Sequence, residues 1–344
     1  MNWLPRSVAL AALLLARTAI GGDAKEASAV STGVSAVAEW IWDARDRKSS
    51  WLAEISPTLE LDLGELGIAD DWYVFAKPTL TWGTEENYDW KLRLYQAWLS
   101  WDGNDTFNLQ IGTLDPSWHI HSLPSSWPFV RLPARTAGQF SPGGLGRLDL
   151  FPLSAPGVRM EWKPRADFYV QAEALYAGSG WALDGADLSR CTSLTIVEAG
   201  LRREGDRPFR AGVGGWMLGR SADLRGDGRT VGGVYAFADA GLLAAPHELS
   251  AFVSVAATRT TGANGEMRIA TGLHSIGLVA TRPNDETALA IVWEELPENA
   301  ARLATEVLHR FWVRDSFYIQ TSALWQRESG ADGWRFGMAV GWNY

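Results

Sequence analysis

The chain has 344 residues, 47% of them hydrophobic, with 19 tryptophans, 35 glycines, one cysteine and a formal net charge of −9 at neutral pH. Such an acidic chain is a poor nucleic-acid binder. Its single thiol, Cys191, forms no internal disulfide, which excludes a disulfide-stapled secreted scaffold.

Residues 1–21 read as a secretory signal peptide: Arg6 lies near the start, Ser7 to Ala16 is apolar, and Ala19-Ile-Gly21 supplies small residues for cleavage. An apolar run of about ten residues is too short for a membrane helix. Nothing further along supplies a run of about 18 or more. Residues 22–33 are small and polar and are expected to form a flexible lead-in. The rest, 34–344, is expected to be one domain.

From there period-2 alternation hardly stops. Candidate strands fall at 34–43, 51–62, 72–82, 91–101, 105–113, 157–163, 167–177, 193–203, 209–219, 231–242, 248–258, 268–280, 287–295, 304–314, 317–326 and 334–344. In the sixth, Val158, Met160 and Trp162 oppose Arg159, Glu161 and Lys163. The seventh sets Phe168, Val170, Ala172, Ala174 and Tyr176 against Tyr169, Gln171, Glu173 and Leu175. Near the end, Glu306, Arg310 and Arg314 share one side, and His309 sits awkwardly on the side of Val307 and Phe311. The final strand puts Trp334, Phe336, Met338, Val340, Trp342 and Tyr344 on one face, with large aromatics at both ends. At about 3.3 Å per residue it is as long as the roughly 9–11 residues a tilted strand needs to cross a bilayer.

The expected fold is therefore all-β: a transmembrane antiparallel β-barrel of about sixteen strands. Tryptophan then marks the interfacial girdles, and glycine relieves crowding on the inner wall. Connections alternate between tight ones, such as 314–316, and longer polar ones, such as 221–229. The exception is 114–156, a stretch of weak alternation carrying Pro116, Pro124, Pro128, Pro133, Pro142, Pro152 and Pro156 with several aromatics and arginines. A loop this long in a compact protein is functional or disordered, and its aromatic content argues against disorder.

Enzymatic chemistry finds little support. His119 and His121 share a side of an extended segment but lack a clear third ligand, so no metal is expected. Glu294 and Glu295 point to opposite faces of a strand, a poor arrangement for paired carboxylate catalysis. Gly143-Gly-Leu-Gly146 lacks the lysine and the strand-to-helix context of a phosphate loop. No cofactor is expected.

Several segments resemble the carbohydrate-selective porins of the OprB type. Leu94-Tyr-Gln-Ala-Trp-Leu99 and Phe107-Asn-Leu-Gln-Ile-Gly112 look like the paired strands ahead of that family's constriction loop. Ala211-Gly-Val-Gly-Gly-Trp216 and Gly232-Gly-Val-Tyr-Ala-Phe-Ala-Asp239 are similar to its glycine-aromatic strand pair. The most specific match is Gly277-Leu-Val-Ala-Thr-Arg-Pro-Asn-Asp285, followed by Glu306 and Phe317-Tyr-Ile-Gln320. Thr321-Ser322 departs from the family's Pro-Asp, and Tyr344 stands where phenylalanine is commoner.

The resemblance implies an outer-membrane channel for sugars and other small hydrophilic solutes, with the 114–156 loop folded into or over the pore. It also implies bacterial outer-membrane lipid as surroundings, delivery to the barrel-assembly machinery through the C-terminal strand, and a possible homo-oligomer. Sugars have apolar ring faces and hydroxyl edges, which aromatic and charged side chains can meet. The expected pore residues are Trp118, Trp127, Phe129, Arg131 and Arg135 in the loop, and Arg159, Glu161, Lys163 and Glu173 on the wall after it. Arg282 and Asp285 are expected to fix a turn. The alternatives are a general or anion-biased diffusion pore and a secreted soluble carbohydrate-binding β-protein.

Overall fold

The computed structural model describes residues 29–83, 91–104, 106–116, 119–120, 123–126, 154–177, 192–218, 231–260, 266–279, 281–295, 301–328 and 331–343. Sixteen strands follow one another: β1 Val30–Asp43, β2 Lys48–Asp62, β3 Trp72–Gly83, β4 Lys91–Asn104, β5 Phe107–Leu114, β6 Ala155–Arg165, β7 Phe168–Ala177, β8 Thr192–Arg203, β9 Phe209–Leu218, β10 Val231–Leu243, β11 Glu248–Thr260, β12 Glu266–Ile276, β13 Glu286–Glu295, β14 Ala301–Arg314, β15 Phe317–Glu328 and β16 Ala331–Asn343. Each expected strand is present. The first begins at Val30, inside the stretch read as lead-in, because residues 30–33 pair with the end of β2.

Each strand pairs antiparallel with its sequence neighbours, and β1 pairs with β16, closing the barrel. Closure leaves no unpaired edge, the condition for a sheet to stand in hydrocarbon. Along the seam Arg335 pairs with Asp43 at 2.7 Å on the inner face, while Trp42 stacks on Phe336 on the outer one. Short connections such as 166–167 and 315–316 lie at the end that holds the start of β1 and the end of β16; the long 115–154 connection lies at the other.

The outer face is apolar. Val158, Met160, Trp162, Val197, Val213, Val234, Val253, Leu273, Ile291, Val307, Phe336 and Met338 are all exposed there. In water such a continuous belt would be an aggregation liability. Around a closed barrel it is the lipid-contacting band of a transmembrane barrel. His309, on this face, donates to or accepts from Thr287 at 2.8 Å and packs edge-on against Phe311, which explains its place on the apolar side.

On the inner face, large aromatic rings lie across glycines of the adjacent strand. A Cβ on Gly214 would sit 2.3 Å from the Tyr235 ring, and one on Gly341 would sit 2.1 Å from Tyr318. Glycine there provides room for the ring to lie flat against the wall. Between β2 and β3 the ladder lapses from Ile55↔Leu80 to Leu59↔Ala76, where Pro57 and Pro78 would face each other. Proline has no N–H to give the ladder. The inward Ser56 and Thr79 hydroxyls close the gap at 2.8 Å.

Candidate functional site

Strand alternation brings Gln110, Arg159, Glu161, Gln171, Glu173 and Glu198 to the inner wall of β5–β8, all buried. Arg159 donates to Gln110 (3.1 Å), Glu161 (3.0 Å) and Gln171 (3.0 Å). Gln171 then donates to Glu198 at 2.7 Å. Glu198 also accepts from Tyr169 (2.8 Å), Tyr235 (2.9 Å) and Arg210 (3.2 Å). A fully buried carboxylate is tolerated because four donors from three other strands surround it.

The described part of the long loop lies inside this wall. The His119 carbonyl accepts from Gln171 at 2.9 Å and from Arg210 at 2.6 Å. Further along, Asp239 takes the Ser125 N–H at 2.9 Å and its hydroxyl at 2.7 Å, at the 3₁₀ turn Pro124–Ser126. Between these anchors Ile120 and Leu123 are completely buried, in a cluster with Leu114, Leu175, Leu194, Ile196 and Trp216. Burial of each aliphatic side chain contributes roughly 1.5–3 kcal/mol. The inner wall is thus not uniformly polar: beneath the loop it is a packed core, and Leu175, grouped by alternation with polar neighbours, belongs to it.

Arg159, Glu161 and Glu173 come together on this wall. Glu173 is 1% exposed, directly opposite Arg159 in the register, and among the described residues neither of its carboxylate oxygens has a hydrogen-bond donor. Lys163, toward the short-turn end, reaches Glu161 at 3.9 Å and stands beside a recess of about 590 Å³ that Arg165 and Arg202 also line. Trp118, Trp127, Phe129, Arg131 and Arg135 lie outside the described residues, as do His121, Cys191 and Tyr344. Tyr169, Glu198 and Arg210 are not among the expected pore residues, and Tyr235 and Asp239 enter the sequence only as part of the Gly232–Asp239 strand. As site residues their signal is an inward period-2 position, which every second residue of the barrel shares.

Several arginines of the described wall meet carboxylates. Arg202 meets Glu161 and Arg310 meets Glu286, while Arg268 and Arg302 both meet Glu294. Among the described residues no group of three or more metal-ligating side chains is suitably placed. Outside the strands, Arg282 binds Asp285 at 2.7 and 3.2 Å across the turn after β12. Burial pushes the Asp285 carboxyl up, but hydrogen bonds from Arg282 and the Trp312 N–H outweigh it, and the carboxyl lies below its ordinary value. Gly277, at φ +71°, starts this turn with no room for a Cβ between Pro246 and Pro283.

The barrel has the fold of OprB. Over 92% of this chain and 94% of the other, it superposes on Pseudomonas putida OprB (high pH structure) with a TM-score of 0.74 at 13% sequence identity. A loop L8 deletion mutant of OmpT, an outer membrane protein of Vibrio cholerae, matches with a TM-score of 0.63 at 11% identity, over 92% and 99% of the two chains. Pseudomonas aeruginosa OpdK with vanillate matches at 0.55 and 10% identity, over 92% and 98%. No family model and no curated protein sequence matches the chain. The OprB fold places the sixteen strands in one closed ring, and at these identities the likeness concerns architecture alone.

Proposed function

We propose that this protein is a bacterial outer-membrane channel through which small, neutral, hydrophilic solutes, sugars among them, diffuse. The observation that carries the reading is the anchored loop: His119 and Ser125 are held by wall residues inside a closed barrel whose outer face is apolar. A segment fixed within a lumen narrows the path and sets a size limit. OprB, named above, supports extending the reading to sugars.

Among the described residues, the pairing of wall arginines with carboxylates favours neutral solutes over anions. An anion-recruiting lumen presents cations without carboxylate partners. Here Arg159, Arg202, Arg210, Arg268, Arg302, Arg310 and Arg335 each contact a carboxylate. Arg159, Glu161 and Glu173 are buried in the wall and serve in this reading to brace the constriction rather than to touch solute, with Lys163 at the mouth. Trp118, Trp127, Phe129, Arg131 and Arg135 complete it from the loop.

Liposome swelling with mono- and disaccharides, amino acids and salts tests this. Faster swelling with sugars than with charged solutes of equal size is the expected result. Swelling that follows solute size alone reduces the protein to a general diffusion pore. Release of the protein as a soluble species with no heat-dependent shift in SDS gels removes the channel reading.

A further inference from the structure

We propose that the mouth at the short-turn end carries a binding notch for the pyranose ring of a neutral sugar, built by Trp312, Tyr318, Arg310 and Glu286. The inference rests on the sugar-channel reading and adds a site away from the loop. Trp312 and Tyr318 are inward, partly exposed register partners on β14 and β15, 5.2 Å apart with their planes at 60°. Tyr318 lies flat over Gly341 with Arg310 across it and props Trp312 at that angle, so the apolar surface offered to the face of a sugar ring is that of Trp312.

The polar part of the notch is fixed beside it. Arg310 lies over the Tyr318 ring at 4.6 Å. Its Nε donates to Gln320 at 3.0 Å and its Nη1 to Glu286 at 3.1 Å, while Nη2 carries no hydrogen bond among the described residues. Glu286 also accepts from the Trp312 indole at 2.9 Å and meets His274 at 3.2 Å. The guanidinium charge is therefore offset by Glu286, and what remains on offer is a positioned donor. That suits a hydroxyl better than an anion.

The turn after β12 explains how the notch keeps its shape. Asp285 accepts the Trp312 N–H at 3.0 Å, and Arg282 donates to the Trp312 carbonyl at 3.2 Å. Both backbone groups of Trp312 are clamped from outside the lumen, at a place where the register of β14 shifts. A site held by rigid neighbours loses less freedom when it binds.

The test is sugar block of ion current through the full-length barrel in a planar bilayer, with glucose and maltose added from either side. Wild type should show saturable block. Trp312→Ala and Arg310→Lys should each weaken it about five- to tenfold, the loss expected of one stacking or forked contact. Arg282→Ala, which touches no solute, should weaken it less and in the same direction. Unaltered sugar titrations in Trp312→Ala and Arg310→Lys would overturn the notch. Absence of any block in wild type, together with swelling indifferent to sugars, would instead overturn the reading of the channel. A heat-dependent gel shift confirms that each variant forms the barrel, and Arg310→Lys decides alone if Trp312→Ala does not.

Discussion

Asp239 on β10 binds both the N–H and the hydroxyl of Ser125, a residue 114 positions earlier in the chain. This bond and the paired donors on the His119 carbonyl fasten the long loop to one side of the wall, from β7 and β9 at His119 and from the adjoining β10 at Ser125. Asp239→Ala leaves Ser125 with two unmet groups in a buried site, a loss of about 1–3 kcal/mol at the loop. We expect single-channel conductance to rise and fluctuate while the heat-dependent gel shift is kept. Unchanged conductance would mean that Asp239 does not hold the constriction.

Glu198 gathers four donors, so its removal takes the carboxylate partner from Arg210 and the acceptor from the Tyr169 and Tyr235 hydroxyls. Glu198→Ala should cost roughly 3–5 kcal/mol, the range for breaking a buried pair by deleting one partner. Glu198→Gln should cost less, since its carbonyl still accepts. Urea unfolding of the barrel in detergent measures both, and equal costs would contradict the network described.

Gly214 has no space for a side chain beneath the Tyr235 ring. Gly214→Val should destabilise the barrel by about 1–3 kcal/mol through overpacking. Adding Tyr235→Ala should recover part of the loss of folding yield. If the pair behaves additively, the ring is not what excludes the side chain.

Val213, 61% exposed at the middle of β9, faces outward. Val213→Arg should cost about 2–4 kcal/mol in a bilayer, the range for a cation near the midplane of a barrel's lipid face. A neutral outcome in lipid vesicles would argue that this face is not in hydrocarbon.

The Asp285 carboxyl lies below its ordinary value of 3.8, so its contribution to stability is complete above that value and disappears as pH falls through the lower, folded one. The barrel should be indifferent to pH from 7 to 5 on this account and lose stability below about pH 4. Asp285→Asn should show a smaller acid loss than wild type in thermal scans. An identical acid limb would assign the loss to other carboxylates.

Period-2 alternation determined the strands, their number and their two faces, because every strand of a closed barrel meets lipid on one side and the lumen on the other. The turn from Gly277 to Asp285 was legible for a related reason: a left-handed glycine and a short-range arginine–aspartate pair are local devices. Tertiary structure alone decided which inward residues form the network. Glu198, Arg210, Tyr235 and Asp239 lie on three strands spread over 42 residues, and nothing in their spacing brings them to His119 and Ser125. Leu175, Leu194 and Ile196 likewise look like breaks in a polar pattern until Ile120 and Leu123 are packed against them. Alternation reports the face on which a side chain lies, whereas closure of the barrel and insertion of the loop set what it meets there.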